Sequence, residues 1–363
     1  MFWQHLLPSR RLLFQCPNFF GNGVVHYGEK LLLDVQMKSS RCSREREEAK
    51  SLLLHSRRPD ITAGTRQRLR YPNLSIMDLK EYFKRIGFTG LYDKADLPTL
   101  CTIHKLHVMT VPFENLSIHC GEKNTLDLNV IYKKIVLDHR GGWCFENNLL
   151  FSWVLREMGY KFTMLGTKDC NLLKNDSNPM ESHLINLVEI DGKPYIADVS
   201  YGVSDQMWEP LELIAGKDQP QPPGVFRLLK DGESWTLEKT GRKPLIQNEA
   251  FAKCSLVNKP LTKTMFSFFL MPRGTDQFLE ASEYLQTNCE SLFTQKSICS
   301  LQTPTGFRAL VGCNYSEVTF NPQEDVDLYD MRKIPDSEIE TVLKEKFNIT
   351  LDSKLTPVNN KNV

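Results

Sequence analysis

Cys144, His183 and Asp198 supply a thiol, an imidazole and a carboxylate, the groups that nucleophilic catalysis by cysteine needs. Cys144 stands in HRGGWCFENN, behind two glycines and ahead of helix-favouring residues. A cysteine in a first helical turn meets unpaired backbone N–H groups and the positive end of the helix dipole, which lower a thiol's pKa. Arg140 adds positive charge if its side chain points that way, and Gly141 and Gly142 allow a close backbone approach or a positive φ. Read alone, Cys144 is also a small buried hydrophobe, one of ten cysteines in the chain.

The stretch HLINLVEIDGKPYIADV carries the other two groups. It alternates as a strand does and contains Asp191-Gly192, a hairpin signal. With those two residues as the turn, Ile185 faces Asp198 and His183 faces Ser200 across the ribbon. His183 and Asp198 then become diagonal neighbours on one face, within reach of a carboxylate–imidazole hydrogen bond. A slip of one residue would undo the facing. Taken singly, His183 is also a satisfied strand histidine and Asp198 a solvated strand-end residue, so spacing leaves both readings open. His104 and His107 lie three apart on a predicted helix, a spacing that could bind metal, but no further ligands accompany them. His139 reads as a helix-end residue.

The elements that must position these groups follow from periodicity. Residues 77–160 read as a helical bundle carrying the nucleophile: MDLKEYFKRIGF stops at Gly87, further helices cover Leu97–Thr110 and 129–139, and CFENNLLFSWVLREMGY runs to Gly159. Residues 161–268 turn to strands and carry the histidine and aspartate. VFRLLKDGESWTLEK there repeats the hairpin device with Asp231-Gly232. Residues 269–363 contain FRALVGCNYSEVTF, read as strands, and close on DSEIETVLKEKFNI, an amphipathic helix with Asp336 as its cap. Helices, then strands, then a mixed end predict an α+β protein.

Composition narrows the partners. With 363 residues, 41% apolar content and a formal net charge of +1, the chain has a globular make-up with no pull toward nucleic acid, and it has no apolar run long enough to span a membrane. The cysteines form no CxxC pair and no cluster, which argues against a zinc site and for a reducing, cytoplasmic setting with free thiols. The first 76 residues carry 13 Lys+Arg against 6 Asp+Glu, while the remainder carries 32 against 38. That shift marks a basic N-terminal extension, 1–76, expected to be poorly ordered. Its opening MFWQHLLPSRRLLFQ has some transit-peptide character, but the acidic residues beyond it fit a longer leader poorly.

Six blocks in order then carry a resemblance: VPFENLSIHCG at 111–121, RGGWCFENN at 140–148, the His183–Asp198 interval, QMWEPLELIAGKDQP at 206–220, YLQT at 284–287 and CSLQTP at 299–304. Residues 77–363 resemble an arylamine N-acetyltransferase of the vertebrate type. The resemblance implies a helical bundle, a β-barrel and an α/β lid around a papain-like Cys-His-Asp core. It implies Cys144 as nucleophile, His183 as base and Asp198 as orienter. The implied reaction is ping-pong transfer from acetyl-CoA, without a metal, to aromatic amines and hydrazines by a monomer. Arg140 and Glu114 match a structural ion pair, Asn148 keeps its family identity, and Tyr284 matches a tyrosine associated with CoA. Phe113, Ser182, His183 and Tyr201 are implied to line the acceptor side.

Departures from the family pattern matter as well. Pro179-Met180 replaces a Ser/Thr-Gly pair whose backbone meets CoA, and proline has no N–H to donate. DVSYG replaces Asp-Ala-Gly-Phe-Gly, and Tyr201, Val203 and Asp205 stand at positions that in the family shape acceptor preference, so the resemblance carries over no favoured amine. The chain ends at Asn362-Val363, and the shorter tail implies a more open cleft. A cysteine peptidase or a transglutaminase would use the same three groups but lacks its expected sequence context here. A binding module with an idle triad, or a fold in which Cys144 is only filler, predicts a thiol that reagents do not label rapidly.

Overall fold

Asp78 and Gly87 bracket the first described helix, α1 (Leu79–Ile86): the Asp78 carboxylate accepts from the Lys80 N–H, and Gly87 takes φ 71° to close the last turn. In this computed structural model the described residues are 77–169 and 180–360. The extension 1–76 and Pro179 lie outside them. Helix α2 (Leu97–Thr110) starts at Asp96, whose side chain accepts from the Thr99 N–H, with Pro98 in the first turn. A short strand β1 (Phe113–Glu114) and a single turn α3 (Leu116–His119) follow.

The helix expected over 129–139 divides. Its α-helical part is α4 (Leu128–Tyr132), which widens into a π-helical segment at Lys133–Leu137 before His139 takes φ 56°. Helix α5 (Cys144–Glu157) is buried continuously from Cys144 to Leu155, so it serves as the central post rather than as a surface helix.

Antiparallel strands come next: β2 (Lys161–Asp169), β3 (His183–Ile190), β4 (Lys193–Ala197), β5 (Leu211–Glu212), β6 (Asp218–Gln221), β7 (Gly224–Asp231) and β8 (Ser234–Thr240). After β9 (Lys243–Ile246), β10 (Thr262–Pro272) completes a sheet in the order β5-β4-β3-β2-β10-β8-β7-β6. Side chains draw its two edges together. Gln219 Oε1 accepts from the Glu212 N–H at 2.9 Å and its Nε2 donates to the Glu212 carbonyl at 3.0 Å. Gln221 treats Trp208 and Glu209 likewise. The result is a nearly closed barrel with Leu165, Ile185, Phe226, Leu237, Phe266 and Phe268 inside.

The hairpin β7–β8 differs from its expected turn. Asp231 pairs with Ser234, so the turn residues are Gly232 and Glu233, and Gly232 alone has positive φ at 58°. A turn that needs left-handed backbone only at its first position places the glycine there, one residue later than in the Asp-Gly reading.

Helices α6 (Leu279–Thr287) and α7 (Leu292–Gln295) lead to a second sheet made of β11 (Ile298–Thr303), β12 (Gly306–Val311), β13 (Asn314–Asn321) and β14 (Val326–Lys333). Strand β1 joins it at one edge and β9, parallel to β14, at the other. Helix α8 (Ile339–Phe347) packs Ile339, Leu343 and Phe347 with Leu310 and Tyr315 of this sheet. Asp336 does not cap it: Asp336 opens a 3₁₀ turn and its carboxylate accepts from the Cys313 thiol at 3.3 Å.

Candidate active site

The two glycines before Cys144 are needed for close approach, not for positive φ. The Gly142 N–H donates to the Pro112 carbonyl at 3.1 Å and the Glu114 N–H donates to the Gly142 carbonyl at 2.9 Å, tying residues 141–142 alongside β1. A Cβ at Gly141 would lie 2.2 Å from the Pro112 oxygen, and one at Gly142 would lie 2.9 Å from Glu146 Cβ. The chain then enters α5 with Cys144 as its first helical residue, and the Glu146 carboxylate accepts from the Trp143 N–H at 3.2 Å. Arg140 does not face the thiol. Its guanidinium pairs at 2.9 Å with Glu114, which also accepts from the Leu116 N–H, so the pair ties β1 to the segment entering α5.

Strands β3 and β4 deliver the other two groups. Asp191 and Gly192 both take positive φ, 51° and 74°, the two-residue turn whose twist suits a hairpin. The ladder runs from Ile190 opposite Lys193 to Asn186 opposite Ala197, the register that Asp191-Gly192 predicts. Asp198 follows the end of β4 and meets His183 at the start of β3, with Nε2 to Oδ2 at 2.7 Å. That leaves the imidazole's Nδ1 side for Cys144, whose thiol donates to the Ser182 carbonyl at 3.9 Å and lies near enough to His183 for the imidazole to pull its pKa down.

Asn148, one turn after Cys144 in α5, braces the carboxylate: its Nδ2 donates to Asp198 Oδ1 at 2.9 Å and to the Leu184 carbonyl, while its Oδ1 accepts from the Val199 N–H. The Ser200 N–H also donates to Asp198 Oδ1, at 3.0 Å.

Burial sets the electrostatics. It pushes the Cys144 thiol up, outweighing the downward pull of His183 and of the Phe145 N–H. This reverses the lowering expected from the helix N-terminus, because the residue is only 2% exposed and a thiolate there is poorly solvated. Burial disfavours charge on His183 too, but the Asp198 charge and hydrogen bond, with those of Cys144, carry His183 well above the ordinary imidazole range. Asp198 is raised by burial and lowered more by His183, Asn148 and the Ser200 N–H, so it stays ionised below the usual carboxylate value.

A family model described as N-acetyltransferase matches residues 96–356. The arylamine N-acetyltransferase pineal gland isozyme NAT-10 of Gallus gallus is 48% identical over 285 residues, 78% of this chain and 98% of its own. The chain belongs to the arylamine N-acetyltransferase family. Among solved structures, the Mycobacterium smegmatis arylamine N-acetyltransferase has a TM-score of 0.65 at 25% identity, covering 76% of this chain and 93% of that one. The Mycobacterium marinum arylamine N-acetyltransferase, solved in complex with CoA, has a TM-score of 0.62 at 23% identity over 75% of this chain and 93% of that one. This acyltransferase thus shares its fold with bacterial arylamine N-acetyltransferases and its sequence with vertebrate ones.

Around this transferase's Cys144 and His183 the other sequence-predicted residues sort by distance. Tyr201 stands edge-on to the His183 ring at 5.4 Å, and Phe266 flanks the same ring at 5.5 Å. Phe113 packs over Gly202, where a Cβ would lie 2.9 Å from the ring and φ is 84°. Ser182 presents its carbonyl to Cys144, while its hydroxyl accepts from the Asp169 N–H at 3.3 Å. Tyr284 lies half-buried on α6, and Met180 packs partly buried against the α5 core. Asp205 turns toward the barrel wall, where Lys239 and Lys263 hold it.

Sequence reasoning missed the residues that hold the Asp198 loop. His104 is fully buried on α2; its Nδ1 donates to the Trp208 carbonyl at 2.9 Å and its Nε2 accepts from the Asp198 N–H at 3.2 Å. A carbonyl can only accept and an amide N–H can only donate, so this tautomer is fixed and the ring is neutral. Burial lowers its pKa to about 4. His107 bonds to the Tyr82 hydroxyl at 2.9 Å, and among the described residues no group of three metal-ligating side chains forms.

Gln206 spans the same loop, donating to the Asp198 carbonyl and accepting from the Tyr201 and Gly202 N–H groups. Val203 holds φ 48°, a costly setting for a β-branched residue. Ser300 and Gln302 on β11 keep it there, bonding its N–H and carbonyl. The signal available in sequence was the His104/His107 spacing, which pointed to metal rather than to a backbone brace.

Proposed function

We propose that the enzyme transfers acetyl from acetyl-CoA to arylamines, arylhydrazines and N-hydroxyarylamines through an acetyl-Cys144 intermediate. The observation that carries this reading is the meeting of the Cys144 thiol, the His183 imidazole and the Asp198 carboxylate at the start of α5, with His183 and Asp198 2.7 Å apart. Cys144 and His183 titrate as one unit, and loss of a single proton leaves a thiolate against an imidazolium that Asp198 stabilises. The thiolate attacks the thioester carbon, the C–S bond to CoA breaks, and His183 returns its proton to the departing CoA sulfur. The acceptor nitrogen then attacks acetyl-Cys144 and gives a proton to His183. The C–S bond to Cys144 breaks, restoring the thiolate–imidazolium pair.

CoA as the donor is supported by the CoA complex of the Mycobacterium marinum relative, while Met180 and Tyr284, with Pro179, are assigned to it from the sequence resemblance. Phe113, Tyr201 and the Ser182 carbonyl form the acceptor side. In this assignment the helical segment 77–160 contributes the nucleophile, the barrel segment 161–268 contributes base and orienter, and 269–363 forms the lid. We also take the enzyme to be a cytoplasmic monomer that needs no metal; the seven described cysteines are free thiols. Initial rates measured over a grid of acetyl-CoA and arylamine concentrations test the order of events. Parallel double-reciprocal lines are expected, and lines that intersect would replace the acetyl-enzyme with direct transfer in a ternary complex.

A further inference from the structure

Among the described residues Thr167 carries the one buried hydroxyl without a hydrogen-bond partner. The other hydroxyls near His183 are engaged: Ser182 Oγ accepts from the Asp169 N–H, and Ser200 Oγ accepts from Asn147 Nδ2. Thr167 is fully buried on β2, and the β2–β3 ladder sets it directly opposite His183. Residues facing each other in an antiparallel ladder share a face, with Cβ atoms about 5 Å apart. On the other side Thr167 faces Phe268 of β10. The Thr167 side chain therefore lies between those of His183 and Phe268 on one face of the sheet, and its hydroxyl meets no protein acceptor or donor.

We infer that Thr167 is a specificity-determining residue that hydrogen-bonds the acceptor's reacting group, favouring acceptors with a second polar atom next to the attacking nitrogen. The inference rests on the proposed transferase chemistry, in which the attacking nitrogen gives its proton to His183. An arylhydrazine or N-hydroxyarylamine carries an N–H or O–H one bond from that nitrogen, at the reach of a hydroxyl neighbouring His183. A plain arylamine carries only ring carbon there. Thr167 Oγ accepts from the added group or donates to its lone pair, and the group's absence leaves the hydroxyl as unpartnered as it is in the free enzyme.

The test compares wild type, Thr167→Val and Thr167→Ser with aniline and phenylhydrazine as acceptors, alongside the burst of CoA released by acetyl-CoA alone. Valine keeps the shape and removes the oxygen, so the variant should melt at the same temperature or higher. Its CoA burst should be unchanged, its kcat/KM for phenylhydrazine should fall about 10-fold, and that for aniline should move less than about 2-fold. Thr167→Ser should keep the phenylhydrazine preference. Thr167→Ala, which also lacks the oxygen, should repeat the split if the valine variant fails to fold. Equal losses for both acceptors, no loss for either, or a diminished burst in the folded variant would overturn the inference. Absence of any burst in the wild type would instead overturn the transferase chemistry, and this inference with it.

Discussion

At Cys144 two local effects oppose each other, and burial wins: the thiol is pushed up although it opens a helix. The facing of His183 and Asp198 was legible in sequence from the Asp191-Gly192 turn. The sign of the thiol's shift was not, because it depends on how α5 is covered by segments distant in sequence. His183 is raised, so its share of stability is complete below the ordinary imidazole value and is lost as pH rises through the raised one. Asp198 is lowered, so its share is complete above the ordinary carboxylate value and is lost as pH falls through the lowered one. Both shares are complete between about pH 4 and 6.5. Asp198→Asn should therefore unfold most easily relative to wild type in that window, by about 3 kcal/mol, with the gap narrowing on either side. Urea titrations across pH would measure this, and a gap independent of pH would contradict the charged pair.

Elements were legible where their chemistry is local. Asp78, Gly87 and Asp191-Gly192 fix their helix ends and turn through their own side chains or their own backbone freedom. The turn at Gly232-Glu233 and the missing cap at Asp336 show the limit: the pairing of Asp231 with Ser234 and a thiol on another turn took up residues whose local signals were sound. His104 lies further from view, since its partner Asp198 is 94 residues away. As a positioning residue it acts through Asp198. His104→Leu should lower kcat about 10²-fold with little change in KM, because a small displacement of a catalytic group costs that much. His104→Gln, which can both donate and accept, should recover most of the loss. Equal activity in the leucine and glutamine variants would remove His104 from this role.

On the scale of the whole molecule, helices come first, a nearly closed barrel second and a helix-covered sheet last, and the site lies where α5 meets the barrel strands β2 and β3. The order of these layers was readable from the change of period along the chain. Closure of the barrel was not, because glutamine side chains and a single bridge from Ala215 to Leu228, rather than a strand ladder, draw its edges together. Replacing Gln219 by leucine leaves the partly buried N–H and carbonyl of Glu212 unpaired. Stability should fall by about 1–3 kcal/mol in thermal melts while kcat holds, since Gln219 bonds only to Glu212 and to none of the groups that hold Asp198. The central claim concerns a covalent bond, so the most direct measurement is peptide mass spectrometry of the protein mixed with acetyl-CoA and then chased with an arylamine. The account predicts one acetyl group on the Cys144 peptide, lost as the amine is acetylated. A folded protein whose Cys144 stays unmodified while the amine is acetylated, or while nothing is, would contradict it.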